Sequence, residues 1–374
     1  MPVRVIIDSP QKNSSIIYAS GYTCLDNVIT IDIDGDVTGF FPATEYERAK
    51  KISKCNTVIN LSEQLENLSL KKEFIPIKAA VVLQFLLKNN QKKIQVPESF
   101  PLYEADFLRE NGIEIVVLQE PFYPERTTKN ETEIAYIKEN SVKNCEVMEA
   151  VRTIIASSNV SDNNRLYYQG EPLTSEFIQS FILKLFLDKG LVSDAVIVAI
   201  GNQGCDPHES GYGFIKAMDS IIVDIFPKSR YNNYYTDMTR TFCKWKATDD
   251  LKNIYEVVKN AQQFCLNSLS AGVIGKELHA KVVEYIEHSG YKSGMIHGVL
   301  QGFFHGTGHG VGLDCHEGPY ISRNGRKIEK NSIVTVEPGL YYLNKGAVRI
   351  EDIVLVKDGG IENLTDYPKE LVVE

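Results

Sequence analysis

The apolar positions of this chain switch between a spacing near 3.6 residues and a spacing near 2. Ile134, Ile137, Cys145, Met148, Val151 and Ile155 recur at roughly helical spacing. Asn130 stands three residues before Glu133, an arrangement that predicts a capping box and a helix start. SEFIQSFILKLFLDKG (175–190) predicts a second helix, with Gly190 suited to the left-handed backbone beyond its end. Short β-branched runs follow at AVIVAI (195–200), SIIVDIF (220–226) and YYTDMTRTF (234–242), and these predict strands. The order then returns. Helices are predicted over about 249–270 and 276–289, and strands at NSIVTVEPGLYY (331–342) and AVRIEDIVLV (347–356). Residues 130–356 thus read as helix–helix–hairpin twice over, a repeat of architecture and not of sequence. Two such halves can pack about a pseudo-twofold axis with both hairpins facing one site.

The first 120 residues carry a different pattern. VRVIID (3–8), NVITIDI (27–33) and IEIVVL (113–118) predict strands, and TEYERAKKI (44–52), AAVVLQFLLKN (79–89) and YEADFLREN (103–111) predict helices. No histidine precedes His208, and this part holds no catalytic constellation. It reads as an α/β accessory domain. The polar, proline-containing stretch EPFYPERTTKN (120–130) marks the break, with domains expected at 1–124 and 125–374.

Composition narrows the function classes. Of 374 residues 43% are hydrophobic and 24% charged, with a net charge of −9. An acidic balance argues against nucleic acid as the main partner, because phosphate binding calls for a basic face. The seven cysteines (24, 55, 145, 205, 243, 265 and 315) are scattered and include no C-x-x-C, which argues against a disulfide framework or a cysteine-based zinc site. MPVRVIIDSP has no secretory pattern, and no apolar run reaches membrane-helix length. A soluble, cytoplasmic chain without a membrane partner is expected.

The chemistry gathers in two places. HGTGHGVGLDCHEGP (305–319) holds three of the seven histidines, His305, His309 and His316, on a glycine-rich backbone. Clustered imidazoles there can grip a metal, line a pocket or fill a polar loop. The hairpins supply carboxylates. Asp224 and Asp237 are symmetric about Arg230/Tyr231, and Glu337 and Glu351 about Asn344. Residues symmetric about a turn face each other at about 4.5–5.5 Å, so each hairpin is expected to oppose two like charges. Amid apolar neighbours such a pair requires a compensating cation. The competing reading makes them surface acids paired with Arg240 or Arg349. Recurrence in both hairpins, beside the histidine loop, favours the cation. Four carboxylates and one imidazole suit divalent Mn, Co or Zn, and four negative charges call for two such ions, about 3.5–4 Å apart.

At these residues the chain resembles the pita-bread metallopeptidases (peptidase family M24), and most closely the aminopeptidase P and prolidase branch. The motifs are the Asp224 and T-D-M-T-R-T-F segments, HGTGHGVGLDCHE, T-V-E-P-G-L-Y and V-R-I-E-D. IIYASGY (16–22), PATEYERAK (42–50) and ERTTKNETEIAYIKENS (125–141) extend the likeness to the creatinase-like N-terminal domain and the joint. The resemblance implies an α+β fold: a pita-bread catalytic domain with a pseudo-twofold repeat, behind a smaller α/β domain. It implies that Asp224 holds one metal, that Asp237 and Glu351 bridge two, and that His309, with Glu337, binds a metal while His305 lines the pocket. It places His208 and His316 on the substrate, with Arg349 beside Glu351 as an orienting or substrate-binding group. The implied activity is hydrolysis of the N-terminal Xaa-Pro bond by a homodimer with two divalent ions, Mn foremost. Glu337 would pass a proton to the leaving prolyl nitrogen.

The family usually has Asp-x-Gly at the first aspartate and eleven residues to the second. Here Asp224-Ile-Phe-Pro stands with thirteen, which reshapes the pocket rim. Rival readings are methionine aminopeptidase, metal-free creatinase and a pita-bread protein without metal that acts as a binding module. The full ligand set argues against the last two. His279 and His288 are expected to be surface or packing residues, and His297 structural.

Overall fold

The computed structural model describes residues 3–68 and 76–374. The chain divides into two compact units, Met1–Arg126 and Thr127–Glu374.

The first unit is built on one six-stranded sheet. Its strand order is Thr57–Asn60, Asp36–Phe41, Val28–Ile33, Val3–Asp8, Lys93–Pro97 and Glu114–Leu118. Successive side chains of a strand point to opposite faces. Val3, Val5 and Ile7 therefore pack into one apolar cluster, and Ile6 into another on the opposite face. The predicted strands and helices of this unit are present. The strands Asp36–Phe41, Thr57–Asn60 and Lys93–Pro97 and the helices Ser14–Ser20 and Leu61–Asn67 had no prediction. Asp34-Gly35 turns the hairpin before that strand with φ of 56° and 88°, the conformation a two-residue hairpin needs.

The second unit holds the two-part repeat. The helix Glu131–Ser157 opens with the expected capping box, Asn130 accepting from the Glu133 N–H and Glu133 from the Asn130 N–H. It packs with the helix Ser175–Asp188 over a sheet ordered Ile197–Ile200, Ile221–Ile225, Met238–Lys244 and Val372–Val373. Val147, Val151, Ile154 and Ile155 form its buried stripe. In the second half the helices Asp249–Ser268 and Gly275–His288 pack over a sheet ordered Glu317–Ile321, Gly308–Gly310, Ile333–Val336, Asp352–Lys357 and Gly360–Asn363. Each buried aliphatic side chain in these layers contributes about 1.5–3 kcal/mol over its exposed state.

Two strand expectations are corrected. The run 331–342 is not continuous. It breaks at Glu337-Pro338 into Ile333–Val336 and Gly339–Tyr342, which belong to different sheets. Its partner breaks likewise at Ile350-Glu351. Proline has no N–H for the ladder, and Glu337 sends its N–H away to the Thr307 carbonyl at 2.8 Å. The other correction concerns register. Asp224 faces Thr239, not Asp237, because the ladder ends at Ile225↔Met238 and Asp237 lies just before the strand. The second hairpin keeps its expected centre. Val336↔Asp352 and Gly339↔Arg349 share one register, so Glu337 and Glu351 hold facing positions across the gap.

The halves join where these breaks occur. The Glu351 N–H donates to the Thr239 carbonyl at 3.1 Å, pairing one half's strand with the other's. Thr241 Oγ1 donates to the Arg349 carbonyl and accepts its N–H, at 2.9 and 3.1 Å. Among the described residues no helix is long and apolar enough to cross a membrane.

Candidate metal centre

Asp237, His309 and Glu351 are buried and can bring one ligand atom each within 4.8 Å of one another. They come from three separate segments: the start of the strand Met238–Lys244, the strand Gly308–Gly310, and the break before Asp352–Lys357. Glu337 completes the set from the facing break, with Oε1 3.3 Å from His309 Nε2. Asp237 Oδ2 lies 3.9 Å from the same nitrogen.

The tautomer of His309 carries information. Nδ1 sits 3.1 Å from the Gly310 carbonyl, which accepts only, so Nδ1 bears the hydrogen. Nε2 therefore turns a lone pair toward two carboxylates. Burial also pushes this imidazole down to about 4, so it is neutral near pH 7. A lone pair facing carboxylate oxygens requires a cation or protons between them.

The carboxylates show the same strain. Burial, and then repulsion from Asp224 and Glu337, hold Asp237 well above the usual carboxylate range. Burial followed by Asp237 does the same to Glu351. Glu337 is raised to about 7 by burial, although Arg349 works against the shift. Asp224 is tied at Oδ2 to Arg349 Nη2 at 2.7 Å. Its buried Oδ1 has no hydrogen-bond partner among the described residues. One guanidinium cannot balance four acids, and the orphaned oxygen is a ready donor. This oxygen-rich set with one neutral imidazole fits hard to borderline divalent cations.

Arg349 is placed behind the cluster and does not face open space. It is buried, and all three guanidinium nitrogens are engaged, by Asp224, by Tyr341 Oη at 3.1 Å and by Thr239 Oγ1 at 3.4 Å. These bonds use three of its five N–H groups, and its geometry is that of an anchor for Asp224. His305 is held too: Nδ1 donates to the Gly306 carbonyl at 2.7 Å, and Nε2 accepts from Tyr341 Oη at 2.8 Å. His316 packs edge-on against His309 with ring centroids 4.1 Å apart. His208 is exposed, yet its charge bears on both His305 and His316.

The glycines of the loop have a steric cause. At Gly308 a methyl would overlap the Thr335 carbonyl, and at Gly310 the Gly318 carbonyl. Only a bare backbone lets the His309 strand approach so closely. Lys129 Nζ, buried, donates to Glu317 Oε1 at 2.6 Å, while Glu317 Oε2 accepts the Asp314 N–H at 3.3 Å. This clamps the turn between His309 and His316.

Residues 135–358 match metallopeptidase family M24. The chain belongs to this family. Membership implies divalent metal ions and a peptidase activity. The chain is 28% identical to an Xaa-Pro dipeptidase of Pyrococcus furiosus over 99% of its own length and 95% of the relative's. It is 36% identical to an uncharacterized Bacillus subtilis peptidase, YqhT, over 48% of each chain. Among solved structures, an X-Pro aminopeptidase from Thermotoga maritima superposes with a TM-score of 0.79 at 24% identity, covering 100% of this chain and 98% of that one. An Xaa-Pro dipeptidase from Bacillus anthracis gives 0.80 at 24% identity, covering 100% and 95%. These likenesses establish the pita-bread fold with its N-terminal domain.

In this M24 peptidase two threonines inside the quoted motifs, left without a role by sequence reasoning, support the carboxylates. Thr239 Oγ1 donates to Glu351 Oε2 at 2.6 Å, and Thr335 Oγ1 to Glu337 Oε1 at 3.2 Å. One threonine thus serves each glutamate. Thr239 was within reach of sequence reasoning, two residues past Asp237. His279, expected at the surface or in packing, is buried and pairs with Thr307 Oγ1 at 2.8 Å. His288 and His297 are exposed, the latter in the tight turn between Gly294–Ile296 and Val299–Gln301. Thr239→Val is expected to weaken divalent-cation binding about tenfold, the lower end for loss of a group that orients a ligand. Thr239→Ser should restore it. Isothermal titration of Mn²⁺ checks this, and equal affinity in all three proteins would remove Thr239 from the site.

Proposed function

We propose that this chain hydrolyses the N-terminal Xaa-Pro bond of short peptides, using two divalent ions held by Asp224, Asp237, His309, Glu337 and Glu351. The observation that carries the reading is the cluster of Asp237, His309 and Glu351, with Glu337 beside the His309 Nε2 lone pair and a buried, unpartnered Oδ1 on Asp224. Similarity to a P. furiosus Xaa-Pro dipeptidase along nearly the whole chain supports the substrate class. Mn is the first choice of metal, with Co or Zn as substitutes. Bound ions supply Lewis-acid polarisation and a water of lowered pKa.

The protein's own groups do the rest. His208 and His316, one exposed and one beside His309, donate to negative charge developing on the scissile carbonyl. The prolyl nitrogen carries no N–H before cleavage and must gain a proton to leave. The Glu337 carboxylate takes one from the attacking water and hands it on as the C–N bond breaks. His305, locked by Tyr341, shapes the pocket wall. A cytoplasmic homodimer without nucleic-acid or membrane partners completes the reading.

The test uses an Xaa-Pro dipeptide and the same dipeptide extended by two residues, each with Mn²⁺ or with EDTA. Metal-dependent cleavage is expected. Cleavage of the dipeptide alone marks a dipeptidase, and cleavage of the longer peptide marks an aminopeptidase. Failure on both by a protein with two bound metals would overturn the Xaa-Pro specificity. EDTA should also lower the melting temperature. Restored cation at a hundred times its Kd would return about 2.7 kcal/mol.

A further inference from the structure

The two glutamates of the second hairpin stand where their strands leave each other. Several backbone groups around this gap are met from outside the two strands. The Glu337 N–H goes to Thr307 and the Glu351 N–H to Thr239. The carbonyls of Val336 and Ile350, the residues immediately before Glu337 and Glu351, are also reached from outside. Both accept from one side chain. Gln262 Nε2, reaching in from the helix Asp249–Ser268, donates to Val336 O at 2.9 Å and to Ile350 O at 3.2 Å.

Gln262 has no accessible surface and lies on the helix stripe of Leu251, Ile254, Tyr255, Val258, Ala261, Cys265 and Leu266, where an apolar residue would be expected. Its orientation is unambiguous, because two carbonyls can accept only from the amide nitrogen. That orientation leaves Gln262 Oε1 buried without a partner among the described residues. An unpaired buried amide oxygen is costly. Stability alone thus gives no reason for the residue, and its two hydrogen bonds do.

We infer that Gln262 is a positioning residue for the metal centre, a single amide that staples the two strands bearing Glu337 and Glu351 and sets the spacing of their carboxylates. It touches neither substrate nor metal. The inference rests on the ligand assignment above.

The test is Mn²⁺ affinity by isothermal titration, read beside melting temperature in the full-length protein. Gln262→Met keeps the volume and removes both donors. It is expected to weaken Mn²⁺ binding about ten- to a hundredfold, the usual range for groups that orient ligands. Val258→Ala, one turn away in the same apolar layer, is the control. It should lower the melting temperature while leaving affinity within about twofold of wild type, since it removes only packing. Gln262→Asn retains a polar amide but is one methylene short of spanning both carbonyls. It should show an intermediate loss, and it carries the test if the methionine variant does not fold. Wild-type affinity in a folded Gln262 variant would overturn the inference and leave the ligands standing. Wild-type protein that binds no divalent cation would overturn both.

Discussion

Asp237→Asn is expected to lower kcat/KM on an Xaa-Pro substrate by about a thousandfold or more while raising the melting temperature of the metal-free protein. The two effects have one origin. Asp237 is buried near Asp224, Glu337 and Glu351, and burial, then repulsion from Asp224 and Glu337, raises its proton affinity. A carboxylic acid held above its unfolded value stabilises the fold below the unfolded value and loses that contribution as pH rises through the folded one. As pH rises past the unfolded value, the metal-free protein therefore bears the cost either of ionising this buried acid or of keeping it protonated, and the neutral amide removes that cost. An amide is a poorer ligand for a divalent cation than the carboxylate proposed there. Losing about 4 kcal/mol of transition-state stabilisation corresponds to about a thousandfold in rate. Thermal unfolding with and without Mn²⁺ gives one axis and steady-state kinetics the other. The wild type should gain more from Mn²⁺ than the variant. A variant with full activity and an undiminished Mn²⁺-dependent rise in melting temperature would contradict the metal assignment.

Arg240→Met is expected to produce the largest loss of stability, about 3–5 kcal/mol, by removing one partner of a buried ion pair. The guanidinium is among the most deeply buried large side chains in the chain. It pairs with Asp352 Oδ1 at 2.8 Å and donates to the carbonyls of Glu351 at 2.6 Å, Thr239 at 2.9 Å, Pro368 at 3.0 Å and Tyr367 at 3.0 Å. Lys369 and Asn363 also reach Asp352 Oδ2, at 2.6 and 3.0 Å, so the aspartate is not left wholly alone. The five-donor geometry is specific to arginine, and Arg240→Lys should recover only part of the loss. Urea unfolding measures the effect. Adding Asp352→Asn to the methionine variant should return some stability, because the uncompensated charge is then gone. A loss below about 1 kcal/mol would mean that the guanidinium is solvated and not buried. Because Arg240 also holds the Glu351 carbonyl, Mn²⁺ affinity should fall alongside stability.

Much of the scaffold is legible from local periodicity. The capping box at Asn130 and Glu133, the helices of both halves and the strand around Asp224 follow from apolar spacing and end signals within a dozen residues. The candidate ligand types are legible too, because five side chains suited to metal binding sit in motifs such as HGTGH and T-V-E-P-G. Register was less so. Turn symmetry placed Glu337 opposite Glu351 correctly but put Asp237 opposite Asp224. The turn from Phe226 to Tyr235 folds into its own bonds, such as the Thr236 N–H to Pro227 O at 3.0 Å, and shifts the ladder by two residues.

Arg349 and Arg240 illustrate the remainder. In sequence each is a basic residue on a strand, suited to surface pairing. In the fold each is buried and spends its donors on groups more than a hundred positions away, Asp224 in one case and Asp352 in the other. Gln262 shows it more sharply. Nothing within ten residues of it marks a polar partner, and its two carbonyls lie 74 and 88 positions downstream. Local sequence thus settles which segments are helix or strand and which residue types are available for chemistry, since propensity and periodicity act over a few residues. The packed chain alone settles which buried donors meet which acceptors. Those pairings are imposed by the cost of leaving polar groups unsatisfied in a closed interior, and that cost exists only once the halves have come together.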